Sequence, residues 1–255
     1  MKKRIVIKLG TGVLSTPAGK SLDTDQFTRL AAEIATLQKE GHSCILVSSA
    51  AIAAGVRVLK LKQRPDDLSG KQACAAAGQP ELMRLYATSF KKHGFAVAQL
   101  LLTHGDIDSF MRRDNARNTL DCLLERGAIP IINENDSVAV EELRFGDNDR
   151  LSAEVAILAE ADNLIILTSV DGLQDSNGKR VGKVRNISEA LRFVRPDKGV
   201  ESVGGMKTKL EAVRKVSASG ISAHILDGRK PGQILAALHG KDVGTAFSAS
   251  PQIKL

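Results

Sequence analysis

Tryptophan is absent from the 255-residue chain, and Tyr86 is its one tyrosine. Aromatic residues make up 3% of the sequence, so it has few platforms on which single-stranded nucleic acid could stack. No run of eighteen apolar residues occurs, and no membrane-spanning helix is expected. The three cysteines, Cys44, Cys74 and Cys122, are odd in number and far apart. That argues against a disulfide framework. Each lies among apolar residues, so buried free thiols in a reducing cytoplasm are expected. The five histidines are scattered and show no metal-ligand spacing. The opening "MKKRIVIKLGTG" starts basic but meets a charge again at Lys8. Its apolar run is too short for a signal peptide and reads as a first strand.

What is present is an ordinary globular composition, 43% hydrophobic and 25% charged, with a net charge of +7. The lysines and arginines are spread along the chain. They describe a solvated basic surface that attracts small anions, rather than a nucleic-acid or membrane patch. Apolar strand patterns at Arg4–Lys8, "SCILVSS", "AVAQLLLT", "AIPIIN", "NLIILTS" and "SAHIL" alternate with helical ones. Phe27, Leu30, Ile34 and Leu37 recur at helical spacing, with Thr24 or Asp25 as the expected cap and Gly41 as the expected end. "KQACAAAGQPELMRLYATSFKKHG" reads as a helix whose small-residue start permits close packing, and "NARNTLDCLLERG" as part of another. "SAHIL" is expected to be the last core strand. Between Val170 and about Val203 the pattern is irregular, with Asn177-Gly178 as a hairpin signal. Continuous apolar strands between helices imply an α/β fold with a mostly parallel sheet covered on both faces.

In such a fold ligands collect at the C-terminal ends of the strands. Those ends read "KLGTG", "SSAAIAAG", "NEND" and "TSVDGL", and "VGGMKTK" opens a later helix. Glycines there let backbone N–H groups approach phosphate oxygens. Lys8 and Lys209 both sit in glycine settings. The segment "PIINENDSVAVEELRFGDNDR" gathers carboxylates and amides just past a strand, in a chain that is basic overall. Each signal has a plainer reading alone. "KLG" serves as a turn, "GGMKTK" misses the phosphate-loop spacing, and "GDND" caps a helix. Together they place two lysines, strand-end glycines and an acidic loop on one edge.

In their order and spacing, "KLGTGVL", "VSSAAIAAG", "KQACAAAGQ", "QLLLTHGD", "NARNTL", "PIINENDSVA", "FGDNDRLSA", "GGMKTKL" and "VGTAF" closely resemble the glutamate 5-kinases of the amino-acid kinase superfamily. The resemblance spans almost the whole chain. It implies a three-layer αβα sandwich with a mostly parallel open sheet, in one domain over residues 1–255. An acceptor-binding lobe at about 1–165 and a nucleotide-binding lobe at about 166–255 are expected. It implies ATP-dependent phosphorylation of the γ-carboxylate of L-glutamate, the first step of proline biosynthesis, in the cytoplasm. Mg²⁺ is expected mainly on ATP oxygens and water. Lys8, Lys209 and Asp149 are the implied catalytic groups, with Asp149 holding the lysines. ATP contacts map onto Lys8, Gly10, Thr11, Gly12, Thr168, Ser169, Val203, Gly204, Gly205, Met206, Lys207, Thr208 and Lys209. Glutamate contacts map onto Ser49, Ala50, Asn133, Asp136, Asp147 and Asn148, with Asp136 placed for the α-ammonium. A homo-oligomer (dimer or tetramer) and transfer of the labile product to glutamyl-phosphate reductase are implied, with no nucleic-acid or membrane partner. The short form without the C-terminal PUA domain of many relatives is expected.

Several residues depart from the family pattern. Ala50 stands where glycine is usual, Ser169 where aspartate is usual, Gln174 where tyrosine is common, and "ESVGGM" replaces "GTGGM". Two rival readings stand beside the first. One is a related kinase for acetylglutamate, a nucleoside monophosphate or carbamate; the other is a non-catalytic glutamate or nucleotide sensor. The acidic acceptor loop argues against a nucleotide acceptor, and the retained lysines argue against a sensor.

Overall fold

Val6 points to one face of a sheet, while Ile5, Ile7 and Leu9 point to the other, and this alternation in the first strand sets the architecture. The computed structural model describes residues 2–16, 21–139, 148–191 and 205–249. Among them the strands are β1 (Arg4–Leu9), β2 (Ser43–Ser48), β3 (Val97–Leu102), β4 (Ile129–Glu134), β5 (Asn163–Thr168), β6 (Lys183–Val184), β7 (Ser222–Asp227) and β8 (Thr245–Phe247). They form one sheet in the order β3-β4-β2-β1-β5-β7-β8-β6. All pairings are parallel except β7 with β8.

Helices cover both faces. Val6, Ile45, Val47, Ile132, Leu164, Ile166 and Ile225 pack under the helices Phe110–Glu125, Asn148–Leu158 and Met206–Ala218. Ile5, Ile7, Leu9, Leu46, Ile131, Ile165 and Leu167 pack under the helices Thr24–Lys39, Ala51–Val58, Leu68–Lys91 and Gln233–Leu238. The expected three-layer αβα arrangement with a mostly parallel sheet is therefore observed. No described helix is long and apolar enough to cross a membrane.

Details differ from the sequence reading. The cap of the helix Thr24–Lys39 is Asp23, whose side chain accepts from the Gln26 N–H at 3.1 Å. The expected Thr24 and Asp25 fall in the first turn instead. "SAHIL" is not the last strand, because Thr245–Phe247 returns antiparallel beside it. Cys44 and Cys74 are buried, but Cys122 is exposed, on the side of its helix away from buried Ala116 and Leu120. The Asn177-Gly178 turn is present: Asp175 and Lys179 pair across it, and Gly178 has φ +78°.

Where the helices Ala51–Val58 and Leu68–Lys91 cross, two glycines leave no room for a side chain. A Cβ on Gly55 would lie 1.7 Å from the Cys74 carbonyl oxygen, and one on Gly78 would lie 2.0 Å from that of Ala51. Both obstacles are backbone, so no rotamer change relieves them. We expect Gly78→Ala to cost about 3 kcal/mol or more and to lower the melting temperature by roughly 6–12 °C. An unchanged melting temperature would show that the crossing is not this tight in solution.

Candidate functional site

The direction of Lys8 follows from the strand period. It shares a face with Val6, the face covered by the helices Asn148–Leu158 and Met206–Ala218, and it lies at the C-terminal end of β1. Asp149 sits in the first turn of the former helix, and Thr208 and Lys209 in the first turn of the latter. The three elements converge on the Asp149 carboxylate. Lys8 Nζ lies 2.6 Å from Oδ1, Lys209 Nζ donates to Oδ2 at 3.0 Å, and the Thr208 hydroxyl donates to Oδ2 at 3.1 Å. Asp149 is fully buried, and both lysines are at most 8% exposed. Burial alone would raise the Asp149 pKa. The two ammonium groups outweigh burial and hold it below the usual carboxylate range. One carboxylate thus stands between two buried ammonium groups at the strand ends.

β1 has β2 on one side and β5 on the other, so chain connections diverge beside it, where α/β folds open a crevice. The Gly10–Gly12 loop occupies this point. Gly10 is the N-cap of a one-turn helix, Thr11–Leu14. A Cβ at Gly10 would lie 3.6 Å from Lys8 Nζ, and one at Gly12 would lie 3.9 Å from Ser169 Oγ. Thr168 and Ser169, at the end of β5, therefore flank the glycine loop. Gly205 caps the helix that carries Met206, Lys207, Thr208 and Lys209, with Lys207 exposed. Asp147, Val203 and Gly204 lie outside the described residues, as do Glu141 and Glu142.

On the other side of Lys8, polar side chains form a connected series. Asn148 Nδ2 donates to the Ser48 carbonyl and, at 2.8 Å, to Asn133 Oδ1. Asn133 Nδ2 donates to Gln79 Oε1 at 2.9 Å, and Gln79 Nε2 donates to Gln99 Oε1 at 2.9 Å. Gln79 was not among the sequence-derived candidates, although it closes the quoted "KQACAAAGQ". It fixes the Asn133 amide, and through it Asn148. Ser49 is half-buried and donates its N–H to the Leu9 carbonyl at 3.0 Å. Ala50 adopts φ +80° and ψ +8°, the left-handed conformation that suits the glycine usual in the resembling family. Its methyl packs into the core below the helices.

Acidic groups on this acceptor side respond oppositely to Asp149. Burial raises the Asp136 pKa to about 6, against the opposing pull of Arg64. Glu134, which was also missed, ends β4 at 3% exposure, and among the described residues neither of its oxygens has a hydrogen-bond partner. Burial, reinforced by Asp136, Glu154 and Asp106 and weakly opposed by Arg150, pushes its pKa up to about 8. Nearby Glu154 behaves in the contrary way. His104 Nδ1 at 2.7 Å, Lys215 Nζ at 3.0 Å and Arg150 Nε at 3.1 Å surround it. Against its burial, His104 and Lys215 bring its pKa down to about 2. Among the described residues no group of three or more metal-ligating side chains occurs.

A family model described as the amino acid kinase family matches residues 3–227. The glutamate 5-kinase of Thermus thermophilus is 47% identical over 252 residues, covering 97% of this chain and 68% of that protein. That of Geobacter metallireducens is 46% identical over 252 residues, covering 96% and 67%. The chain thus spans about two thirds of the length of these relatives. The crystal structure of UMP kinase from Bacillus anthracis superposes with a TM-score of 0.65 at 18% identity, covering 97% of this chain and 96% of that one. This likeness concerns the fold.

Glu134 makes stability depend on pH. Its folded pKa of about 8 lies above the usual 4.5, so its contribution is full at low pH and is lost as pH rises toward 8. Between pH 6 and 8 the parent should lose about 2–3 kcal/mol through this group. Glu134→Gln should lack that loss and melt above the parent at pH 8. A variant that melts below the parent at pH 8 would mean that Glu134 is ionised and paired.

Proposed function

The chain belongs to the amino acid kinase family, and we propose that it transfers the γ-phosphoryl group of ATP to the γ-carboxylate of L-glutamate, giving γ-glutamyl phosphate and ADP. The observation that carries this reading is the buried Lys8–Asp149–Lys209 group between a glycine loop and an amide-lined, acidic acceptor edge. The reaction is the first step of proline biosynthesis.

The nucleophile needs no base, since a γ-carboxylate with a pKa near ~4.3 is ionised at neutral pH. Its oxygen forms the new bond to the γ-phosphorus as the bond to the β,γ-bridging oxygen breaks, and ADP carries that electron pair away. No proton moves. The difficulty is electrostatic, because an anion must approach a polyanion. Lys8 serves the transferred phosphoryl group and Lys209 the leaving phosphates. The backbone N–H groups of Gly10, Thr11 and Gly12 cradle the γ-phosphate. Asp149 keeps the lysines apart and aimed, and Thr208 steadies Asp149. With both Asp149 oxygens engaged by lysines, Asp149 is not available to hold Mg²⁺, which travels with ATP on phosphate oxygens and water. Thr168, Ser169 and residues 203–209 receive the nucleotide.

Glutamate is read by the other side. Asp136 takes the α-ammonium, and Ser49, Asn133, Asp147 and Asn148 bond the remaining polar groups, with the Ala50 turn shaping the floor. Residues 1–165 act as the acceptor lobe and 166–255 as the nucleotide lobe. The enzyme works in the cytoplasm as a homo-oligomer and passes its labile acyl phosphate to a reductase.

ADP release should require glutamate and should not occur with N-acetylglutamate or UMP. Asp136→Asn should raise the glutamate KM roughly tenfold to a hundredfold and leave the ATP KM near normal, as expected for loss of one charged partner. Asp149→Asn should lower kcat with both substrates saturating. Ammonium docking requires ionised Asp136, so the parent's glutamate KM should fall as pH rises through about 6 and then level off. That dependence should vanish in Asp136→Asn. Equal changes in both KM values for each variant, or no glutamate-dependent ADP release from folded protein, would overturn the reading.

A further inference from the structure

The turn Asp227–Lys230 follows β7 and crosses the glycine loop after β1. Gly228 marks the closest approach. A Cβ there would meet Val13 Cγ1 at 2.8 Å and Leu167 Cβ at 2.9 Å. The turn is tied from several sides. Gly228 donates its N–H to the Thr168 carbonyl at 2.8 Å. Its own carbonyl accepts from Gln26 Nε2 at 2.9 Å and from Arg29 Nη2. The Arg229 N–H donates to Asp227 Oδ1 at 2.9 Å. These contacts fix where the Arg229 side chain starts. Its Nη2 then reaches across to the Gly12 carbonyl and, at 3.0 Å, to the Ser15 carbonyl. Two carbonyls more than two hundred residues away in sequence thus share the two hydrogens of one guanidinium nitrogen. The neighbouring Lys230 Nζ lies 2.9 Å from Asp171 Oδ2, linking the same turn to the segment after β5.

The one-turn helix Thr11–Leu14 has too few internal bonds to hold its own shape, since short helices form only with outside support. Its carbonyl end is the end where a cation is favourable. A planar guanidinium held there by a packed turn fixes the Gly12–Val13 and Ser15–Thr16 peptide planes, and so anchors the short helix whose start carries the Gly10–Gly12 N–H groups. We infer that Arg229 is a positioning residue of the phosphate loop: through the Gly12 and Ser15 carbonyls it keeps the Gly10–Gly12 N–H groups aimed at the γ-phosphate of ATP. This rests on the reading above that the loop receives phosphate. Arg229 touches neither substrate and acts through the loop backbone.

Arg229→Met keeps much of the length and removes the donors, and Arg229→Lys retains a cation. The measurements are kcat, both KM values, melting temperature, and calorimetric affinity for the non-hydrolysable ATP analogue AMP-PNP with Mg²⁺. A charge-assisted hydrogen bond corresponds to roughly a tenfold to hundredfold effect. Arg229→Met should therefore lower kcat/KM for ATP and AMP-PNP affinity by about that factor, with the glutamate KM within about twofold of the parent. Arg229→Lys should recover part of the loss. A purely structural arginine would lower the melting temperature without separating the two substrates. The inference is overturned if Arg229→Met binds AMP-PNP as the parent does, or if both substrates suffer equally. An inactive parent that still binds AMP-PNP would remove glutamate phosphorylation but leave the Arg229 comparison readable from affinity alone.

Discussion

Asp149 is the constraint on which the rest of the site depends. Two ammonium groups cannot be buried side by side in a protein interior unless an anion stands between them. Here one carboxylate, with no exposure of its own, receives Lys8 from a strand and Lys209 and Thr208 from a helix. It thereby fixes the relative positions of β1, the helix Asn148–Leu158 and the helix Met206–Ala218. On the proposed reading the same three side chains also meet the phosphates of the nucleotide, so one group serves both the packing and the reaction.

The neighbouring helix start shows how closely the two halves of the site are joined. Asn148 precedes Asp149 by one residue, yet its amide turns away from the lysines toward Ser48 and Asn133. One helical turn thus supplies both the group that holds the lysines and the group that joins the amide series. Any shift of this helix moves both together. Gln79 extends the acceptor side into the long helix Leu68–Lys91, whose glycine crossing holds the helix after Ala50 in close contact. The placement of the Asn133 and Asn148 amides is consequently set by helix packing as much as by loop sequence.

The sheet and most helices were legible because their signals are local. Buried parallel strands are apolar runs, and the helix from Thr24 repeats its apolar residues at the expected spacing. β6 and β8 were not legible: two and three residues are too short for a period, and "VGTAF" drew notice as a motif, not as a strand. Cys122 was misjudged because apolar sequence neighbours on a helix do not share its face. The lysines stood out by their glycine settings, while their expected roles, with those of Asp149 and Asn148, came from the resemblance. Gln79, Glu134 and Arg229 were missed for a common reason. Each matters through partners brought close only by the fold, and neither an isolated glutamine in a helix nor a glutamate ending a strand announces its surroundings.

The carboxylates of the site divide by environment. Asp149 is held below the usual range by two cations, against its burial, while burial drives Asp136 to about 6, and burial reinforced by Asp136, Glu154 and Asp106 drives Glu134 to about 8. On the proposed reading the lysines face the phosphates and Asp136 faces the amino acid. An α-ammonium docking beside Asp136 pairs with its carboxylate and favours the ionised form further. The same molecule presents a carboxylate at its other end, which the lysines attract. A ligand with an ammonium at one end and a carboxylate at the other is therefore oriented by the field before any shape is tested. An acceptor lacking the ammonium forgoes that pair, so on this reading the discrimination rests on one charged contact at Asp136.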